Sequence, residues 1–265
     1  MLRLGFVGTG TLVSAVIDGL QATHGDRCTF LLSPRSQATS QALAARYANV
    51  VRAESSAAVV EGSDVVFLGM RPNQLSEATA GLPFRPDQTV VSFLAGVPHA
   101  QIVEKVRPAG HVVRVNPLPP IRLRKGPVVI YPANPIVEDL FGGLGDLIVA
   151  GKESDLVAIA NGSAMMSSHY ALQNSIIDWL VSRDMAPDTA THYVRSMFSG
   201  LAAVGLDAFA RGEAVDPAHH ETKGGLNERG RGYLTQIGWF DEVGRALDVI
   251  ESHVLVAAPA RPESH

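Results

Sequence analysis

Two glycine turns and one arginine carry most of the chemistry legible in this 265-residue chain. Gly8-Thr9-Gly10 follows the apolar run Leu2, Leu4, Phe6 and Val7, and it leads into Thr11-Leu12 and the helically spaced Val16, Ile17 and Leu20. Glycines there let the backbone turn tightly and leave no side chain between a pyrophosphate and the first amides of a helix. A Gly-x-Gly pair alone is a weak signal, but between a predicted strand and a predicted helix it is a dinucleotide fingerprint. The third small position of that fingerprint is taken by Val13, which is expected to hold the helix slightly farther from the strand. Farther along, Lys223-Gly224-Gly225-Leu226-Asn227 offers a second close-approach backbone flanked by a cation and an amide.

The apolar stretch Cys28-Thr-Phe-Leu-Leu32 runs into Ser33-Pro34-Arg35-Ser36, roughly where such folds meet the adenosine ribose. An acid there would bind the ribose hydroxyls of NAD. This chain instead places the Arg35 guanidinium between two hydroxyl side chains, a planar fork suited to the 2′-phosphate of NADP(H). The competing reading is that Arg35 caps an exposed turn. Cys28 is the single cysteine, so no internal disulfide forms, and it is expected to be a small core residue rather than a nucleophile. The nine histidines lack zinc-type spacing, and adjacent His219-His220 suit a solvated helix start, so no metal is expected.

The elements that must position these residues alternate between strand and helix. Strands are predicted near Val50-Val51, over Asp64 to Met70, over Thr89 to Leu94 and over Val112 to Val115. Helices are predicted over Gln37 to Tyr47, from Ser55 and over Pro98 to Val106. Gly126 to Tyr131 and Asp146 to Val149 add two strands around a helix from Ile136 to Phe141. This grammar implies a Rossmann-type, mostly parallel sheet over 1–152. Ligands of such sheets lie outside the carboxyl ends of the strands. Gly8-Thr9-Gly10, Ser33-Arg35, Met70-Arg71-Pro72, Ala95-Gly96 and Asn116-Pro117 are therefore expected to converge on one crevice. From Ser154 no strand is predicted. Leu156, Ile159, Ser163, Met166, Tyr170, Ile177 and Leu180 recur at helical spacing as one long helix, and helices over Pro187 to Arg211 and Thr235 to Val254 follow. The long helix is apolar on several faces and needs cover on several faces. An all-α unit over 153–258 is thus expected to form a homodimer, or a higher oligomer built on it, with 259–265 as a disordered tail.

Composition narrows the function classes. A net charge of −4, with no dense Lys/Arg cluster, argues against nucleic acid as a partner. No apolar run approaches the roughly 20 residues of a membrane span, and no signal segment precedes the first strand, so a cytoplasmic protein is expected.

Three stretches give the chain a resemblance to the pyrroline-5-carboxylate reductase family over nearly its full length. Gly5-Phe-Val-Gly-Thr-Gly10 resembles that family's opening, Met70-Arg-Pro-Asn-Gln74 its Val-Lys-Pro-Gln turn, and Arg114-Val-Asn-Pro117 its Arg-Val-Met-Pro. The resemblance implies an α/β fold with a helical dimerisation domain and an enzyme that reduces a C=N bond with NADP(H), acting on 1-pyrroline-5-carboxylate or a related cyclic imine. The other half departs in key residues. Gly162-Ser-Ala-Met-Met-Ser167 stands where the family has Gly-Ser-Gly-Pro-Ala-Tyr, and Lys223 to Asn227 stands where it has Pro-Gly-Gly-Thr-Thr. The resemblance implies that Gly224, Gly225 and Leu226 line the substrate, with Asn227 replacing a threonine hydroxyl by an amide; Lys223 either meets a carboxylate or is solvated at its glycine turn. Ser163 either holds the substrate nitrogen or caps its helix, and Tyr170, expected in the core, is the fallback proton donor.

Two rivals remain at this stage. A β-hydroxyacid dehydrogenase shares the plan but uses a lysine in the long helix, and no lysine lies between Lys152 and Lys223. A non-catalytic NADPH-binding sensor or scaffold would explain the altered Gly162 to Ser167 stretch, although the polar, glycine-rich run from His219 to Tyr233 argues for a working site.

Overall fold

The computed structural model describes the backbone of residues 1–257 and the side chains of residues 1–253, so the tail expected over 259–265 lies outside the described residues. The chain divides into two compact units, residues 1–160 and the residues from Asn161 onward.

The first unit is built on an eight-stranded sheet in the order β3-β2-β1-β4-β5-β6-β7-β8. β1 (Leu2–Val7), β2 (Cys28–Leu32), β3 (Val50–Arg52), β4 (Val65–Leu68), β5 (Thr89–Ser92) and β6 (His111–Pro117) are mutually parallel. β7 (Pro127–Tyr131) turns antiparallel to β6, and β8 (Asp146–Val149) runs parallel to β7. Helices α1 (Thr11–His24), α2 (Gln37–Arg46), α3 (Ser56–Glu61), α4 (Leu75–Thr79), α5 (His99–Lys105) and α6 (Pro135–Gly142) fill the connections. Strands covered on both faces bury every side chain: β4 reads as the unbroken apolar run Val65-Val-Phe-Leu68, and all four residues of β5 are buried, the hydroxyls of Thr89 and Ser92 included. One face is sealed by a row of aromatic rings: Phe6 stacks on Phe67 at 4.5 Å between centroids, with Phe30 and Phe93 on either side. Cys28 is buried in this core, and burial pushes its thiol up, which disarms it as a nucleophile.

Arg3 on β1 fastens the loop before β4. Its backbone N–H donates to Asp64 Oδ2 at 2.9 Å and its guanidinium grips both carboxylate oxygens. That side-chain hydrogen bond holds the Asp64 carboxyl below the usual carboxylate range. A depressed folded-state value means stability fully present above about pH 4 and lost as pH falls through the lowered value. Asp64→Asn should therefore flatten the acid limb of a melting-temperature profile below about pH 4, while leaving its slope near neutrality unchanged. An unaltered acid limb would show that the grip does not couple to folding.

After α7 (Glu153–Ser163) the second unit is helical: α8 (Met166–Val181), α9 (Pro187–Ala210), α10 (Leu226–Gln236) and α11 (Trp239–Ala257). Two expectations need correcting. The single long helix from Ser154 is two helices, interrupted at Ala164-Met165, where the Ala164 and Met165 N–H groups turn back to the Asn161 and Gly162 carbonyls. Gly162 weakens the helix just before the break. The last predicted helix, Thr235 to Val254, is likewise divided, because Gly238 takes a left-handed conformation at φ +73° that ends one helix and starts the next. Among the described residues no helix is long and apolar enough to cross a membrane.

Candidate functional site

The strand order reverses between β2 and β4 on either side of β1, and a cleft of about 820 Å³ opens at that reversal. Its floor is the glycine turn. Gly8 adopts φ +93°, and a Cβ there would lie 2.9 Å from the Gly69 carbonyl carbon, so the turn excludes any side chain. Gly10 is the N-cap of α1, with no side-chain cap and open space where a Cβ would stand. The first amides of α1, starting at Thr11 and Leu12, have no intrahelical acceptors and can meet an anion. Val13 is fully buried and packs where Gly69 has no side chain, since a Cβ on Gly69 would fall 2.2 Å from Val13 Cγ2. The small residue missing from α1 is thus supplied by the residue after β4.

The turn is locked from the β2 side. Gly8 N–H donates to the Ser33 hydroxyl at 2.9 Å, Ser33 N–H donates to the Phe6 carbonyl, and the buried Thr9 hydroxyl donates to the Arg35 carbonyl at 2.9 Å. Ser33 is fully buried, so its hydroxyl holds the glycine turn in place. Arg35 stands at the mouth of the cleft, 59% exposed, with Nη2 donating to Glu77 Oε1 at 2.9 Å. Met70 and Arg71 line the opposite wall, and Pro72 starts the turn that carries Gln74 back to accept from the Arg71 N–H.

Sequence reasoning missed two parts of this cleft. Glu54, Ser55 and Ser56 approach from the end of β3, and Gln74 and Glu77 from the segment after β4. The carboxyl-end rule applied to β3 would have found the first group; Glu77 carries no local signal. Of the five expected loops, the first three meet here. Ala95-Gly96 after β5 and Asn116-Pro117 at the end of β6 lie along the same edge of the sheet, on strands beyond β4, and do not line this cleft. Beside them is a partly buried ion pair: Arg114 Nη1 donates to Glu153 Oε1 at 2.6 Å, and the same oxygen accepts the His99 N–H.

The second unit carries the residues expected on the substrate side. Ser163 is the last residue of α7. Tyr170 lies on α8 and, contrary to expectation, is not core: it is 55% exposed, with the Arg195 guanidinium 5.4 Å from its ring centroid. Lys223 and Leu226 are exposed, Gly224 adopts φ +72°, and Gly225 is the N-cap of α10 without a side-chain cap. Asn227 Nδ2 donates to the His220 carbonyl at 2.9 Å, closing the loop that precedes the helix. The Gly224 N–H donates to the Glu228 carboxylate, and Arg231 pairs with Glu221, so the segment is an ordered turn and helix. His219 and His220 end a short exposed 3-10 turn. Among the described residues no three His, Cys, Asp or Glu side chains gather as metal ligands.

Comparisons with known proteins agree with this arrangement. Residues 3–96 match the model of a family described as "NADP oxidoreductase coenzyme F420-dependent". The chain is 28% identical to a pyrroline-5-carboxylate reductase of Corynebacterium melassecola, over 77% of this chain and 80% of that one. It is 25% identical to one of Pasteurella multocida, over 76% and 78%. The crystal structure of 1-pyrroline-5-carboxylate reductase from Streptococcus pyogenes superposes with a TM-score of 0.81 at 18% identity, covering 96% of this chain and 98% of that one. In sequence over about three quarters of its length, and in fold over nearly all of it, the chain resembles the pyrroline-5-carboxylate reductase family.

Proposed function

We propose that the protein is a cytoplasmic, NADPH-dependent reductase of a carbon–nitrogen double bond, acting on 1-pyrroline-5-carboxylate or a related cyclic imine. The observation that carries this reading is the cleft at the strand reversal: a side-chain-free glycine turn beneath an uncapped helix start, with a guanidinium and no acid on the β2 loop. A Cβ at Gly8 would collide with the neighbouring backbone, so the floor is shaped for close approach of a diphosphate. The family model matched over this turn describes NADP oxidoreductases.

Gly8, Thr9, Gly10 and the amides of Thr11 and Leu12 would hold the diphosphate, Ser33 would keep the turn in shape, and Arg35 would meet the 2′-phosphate. Met70, Arg71 and Pro72 would flank the middle of the cofactor, and Ala95-Gly96 and Asn116-Pro117 its nicotinamide end. The bound cofactor supplies hydride to a carbon made electrophilic by a protonated nitrogen. The protein's own task is then alignment and a carboxylate clamp, and no strong acid or base is required. On the substrate side the proposal assigns Ser163 to the nitrogen, with Tyr170 as fallback proton donor. Gly224, Gly225, Leu226 and Asn227 shape the pocket, and Lys223 attracts a carboxylate, these five contributed by a second copy of the chain. A homodimer is part of the proposal, supported by Leu201, Leu206 and Phe209 of α9, which are each more than half exposed.

The direct test follows NADPH consumption with cyclic imines of two ring sizes, 2-keto acids and hydroxyacids, each with and without a carboxylate where chemistry permits. Turnover is expected with cyclic imines bearing a carboxylate. Turnover confined to hydroxyacids, or tight NADPH binding with no turnover on any imine, would overturn the assignment.

A further inference from the structure

Glu77 lies in the first turn of α4, is 72% exposed, and its carboxylate hydrogen-bonds the Arg35 guanidinium across the cleft mouth. Arg35 is not placed by packing, since its side chain is more than half exposed, but its backbone is fixed to the glycine turn through Thr9. A carboxylate is therefore held at the one point where the cleft presents a cation suited to the cofactor's 2′-phosphate. We infer that Glu77 is a specificity-determining residue that competes with the 2′-phosphate for Arg35 and so narrows the preference for NADPH over NADH. The inference rests on the reading of this cleft as the cofactor site.

The physical argument is a contrast between two ligands that differ by one group. A phosphate monoester carries close to two negative charges near neutrality. Laid on the Arg35 fork, it has to displace the Glu77 carboxylate from the guanidinium. The 2′-hydroxyl of NADH is uncharged and can donate a hydrogen bond to the same carboxylate. Glu77 therefore penalises one cofactor and tolerates or favours the other. Arg71 and Glu54 also line the cleft, and of the charged residues there Arg35 and Glu77 are the pair in contact.

The test is direct calorimetric binding of NADPH and NADH, with 2′,5′-ADP and 5′-AMP as fragments, to the full-length protein at low ionic strength. Four proteins are compared: wild type, Glu77→Gln, Arg35→Ala and the double variant. Glu77→Gln is expected to tighten NADPH and 2′,5′-ADP by about fivefold, the scale of an exposed ion pair facing a dianion, with NADH and 5′-AMP unchanged or weaker. Arg35→Ala alone should weaken NADPH selectively, and in that background Glu77→Gln should change it by less than about twofold. An unchanged or reduced NADPH-to-NADH ratio in Glu77→Gln would overturn the inference and leave the cofactor site intact. Full tightening that persists without Arg35 would also overturn it, because the carboxylate would then act alone. If wild type binds neither cofactor, the cofactor reading falls and the inference with it.

Discussion

Arg114→Ala is expected to lower the unfolding free energy by about 2 kcal/mol, between the cost of stranding one member of a buried ion pair and that of losing an exposed one. Arg114 is only 6% exposed on β6, and its guanidinium reaches Glu153 at the start of α7. Glu153 is partly open to solvent, which tempers the cost. Its Oε1 also accepts the His99 N–H at 2.6 Å, and the His99 ring nitrogen Nε2 lies 2.9 Å from the Val112 carbonyl. Removing the guanidinium leaves a carboxylate facing the sheet with one backbone donor, and disturbs β6, β5's following helix and α7 together. The replacement Arg114→Met with Glu153→Gln removes both charges while keeping an acceptor for the His99 N–H, so it should recover most of the loss. Urea unfolding of the three proteins checks this. A single-variant loss under about 1 kcal/mol would class the pair with solvated surface bridges. Asn116 and Pro117 follow Arg114 on the same strand, so on the proposed placement of these two residues at the nicotinamide end the single variant should also raise the apparent constant for NADPH more than it lowers turnover.

Much of the first unit was legible because local pattern and tertiary environment agree there. Short, mainly apolar runs bounded by Gly, Pro or charged residues became β1, β2, β4, β5 and β7, since a strand buried on both faces favours apolar side chains. The glycine turn was legible because its spacing reflects a backbone requirement, seen in the positive φ of Gly8. Arg35 was legible as the absence of an acid. What was not legible came from contacts between distant segments. Glu77 lies 42 residues from Arg35 and reaches it only because β4 lies beside β1, which lies beside β2. The helix α10 was hidden by Gly230 and Gly232, which read as loop, and its start is held by charged contacts such as Glu221 with Arg231. Tyr170 was assigned to the core from periodicity alone, but a helix apolar on several faces does not say which face the monomer covers.

Gly69→Ala should destabilise the protein by about 2–3 kcal/mol, and adding Val13→Ala to it should bring almost no further loss. The added Cβ would stand 2.2 Å from Val13 Cγ2, so the fully buried valine or the helix that carries it must shift. It would also stand 3.0 Å from the Gly8 carbonyl oxygen, so the glycine turn shifts with it and cofactor affinity falls alongside stability. Val13→Ala alone removes two buried methyl groups and should cost about 2 kcal/mol through the cavity left behind. In the double variant the new methyl occupies part of that cavity, so the combined cost should fall short of the sum by about 2 kcal/mol. Denaturant unfolding of the four proteins measures the coupling. Additivity within about 0.5 kcal/mol would mean that the two positions do not share one space. The fingerprint requires the helix and the strands to approach closely, and nothing in that requirement says which side gives up the side chain. In this chain valine sits on the helix and glycine after the neighbouring strand, so the double variant should relieve the contact with the helix while the close approach to the Gly8 carbonyl remains.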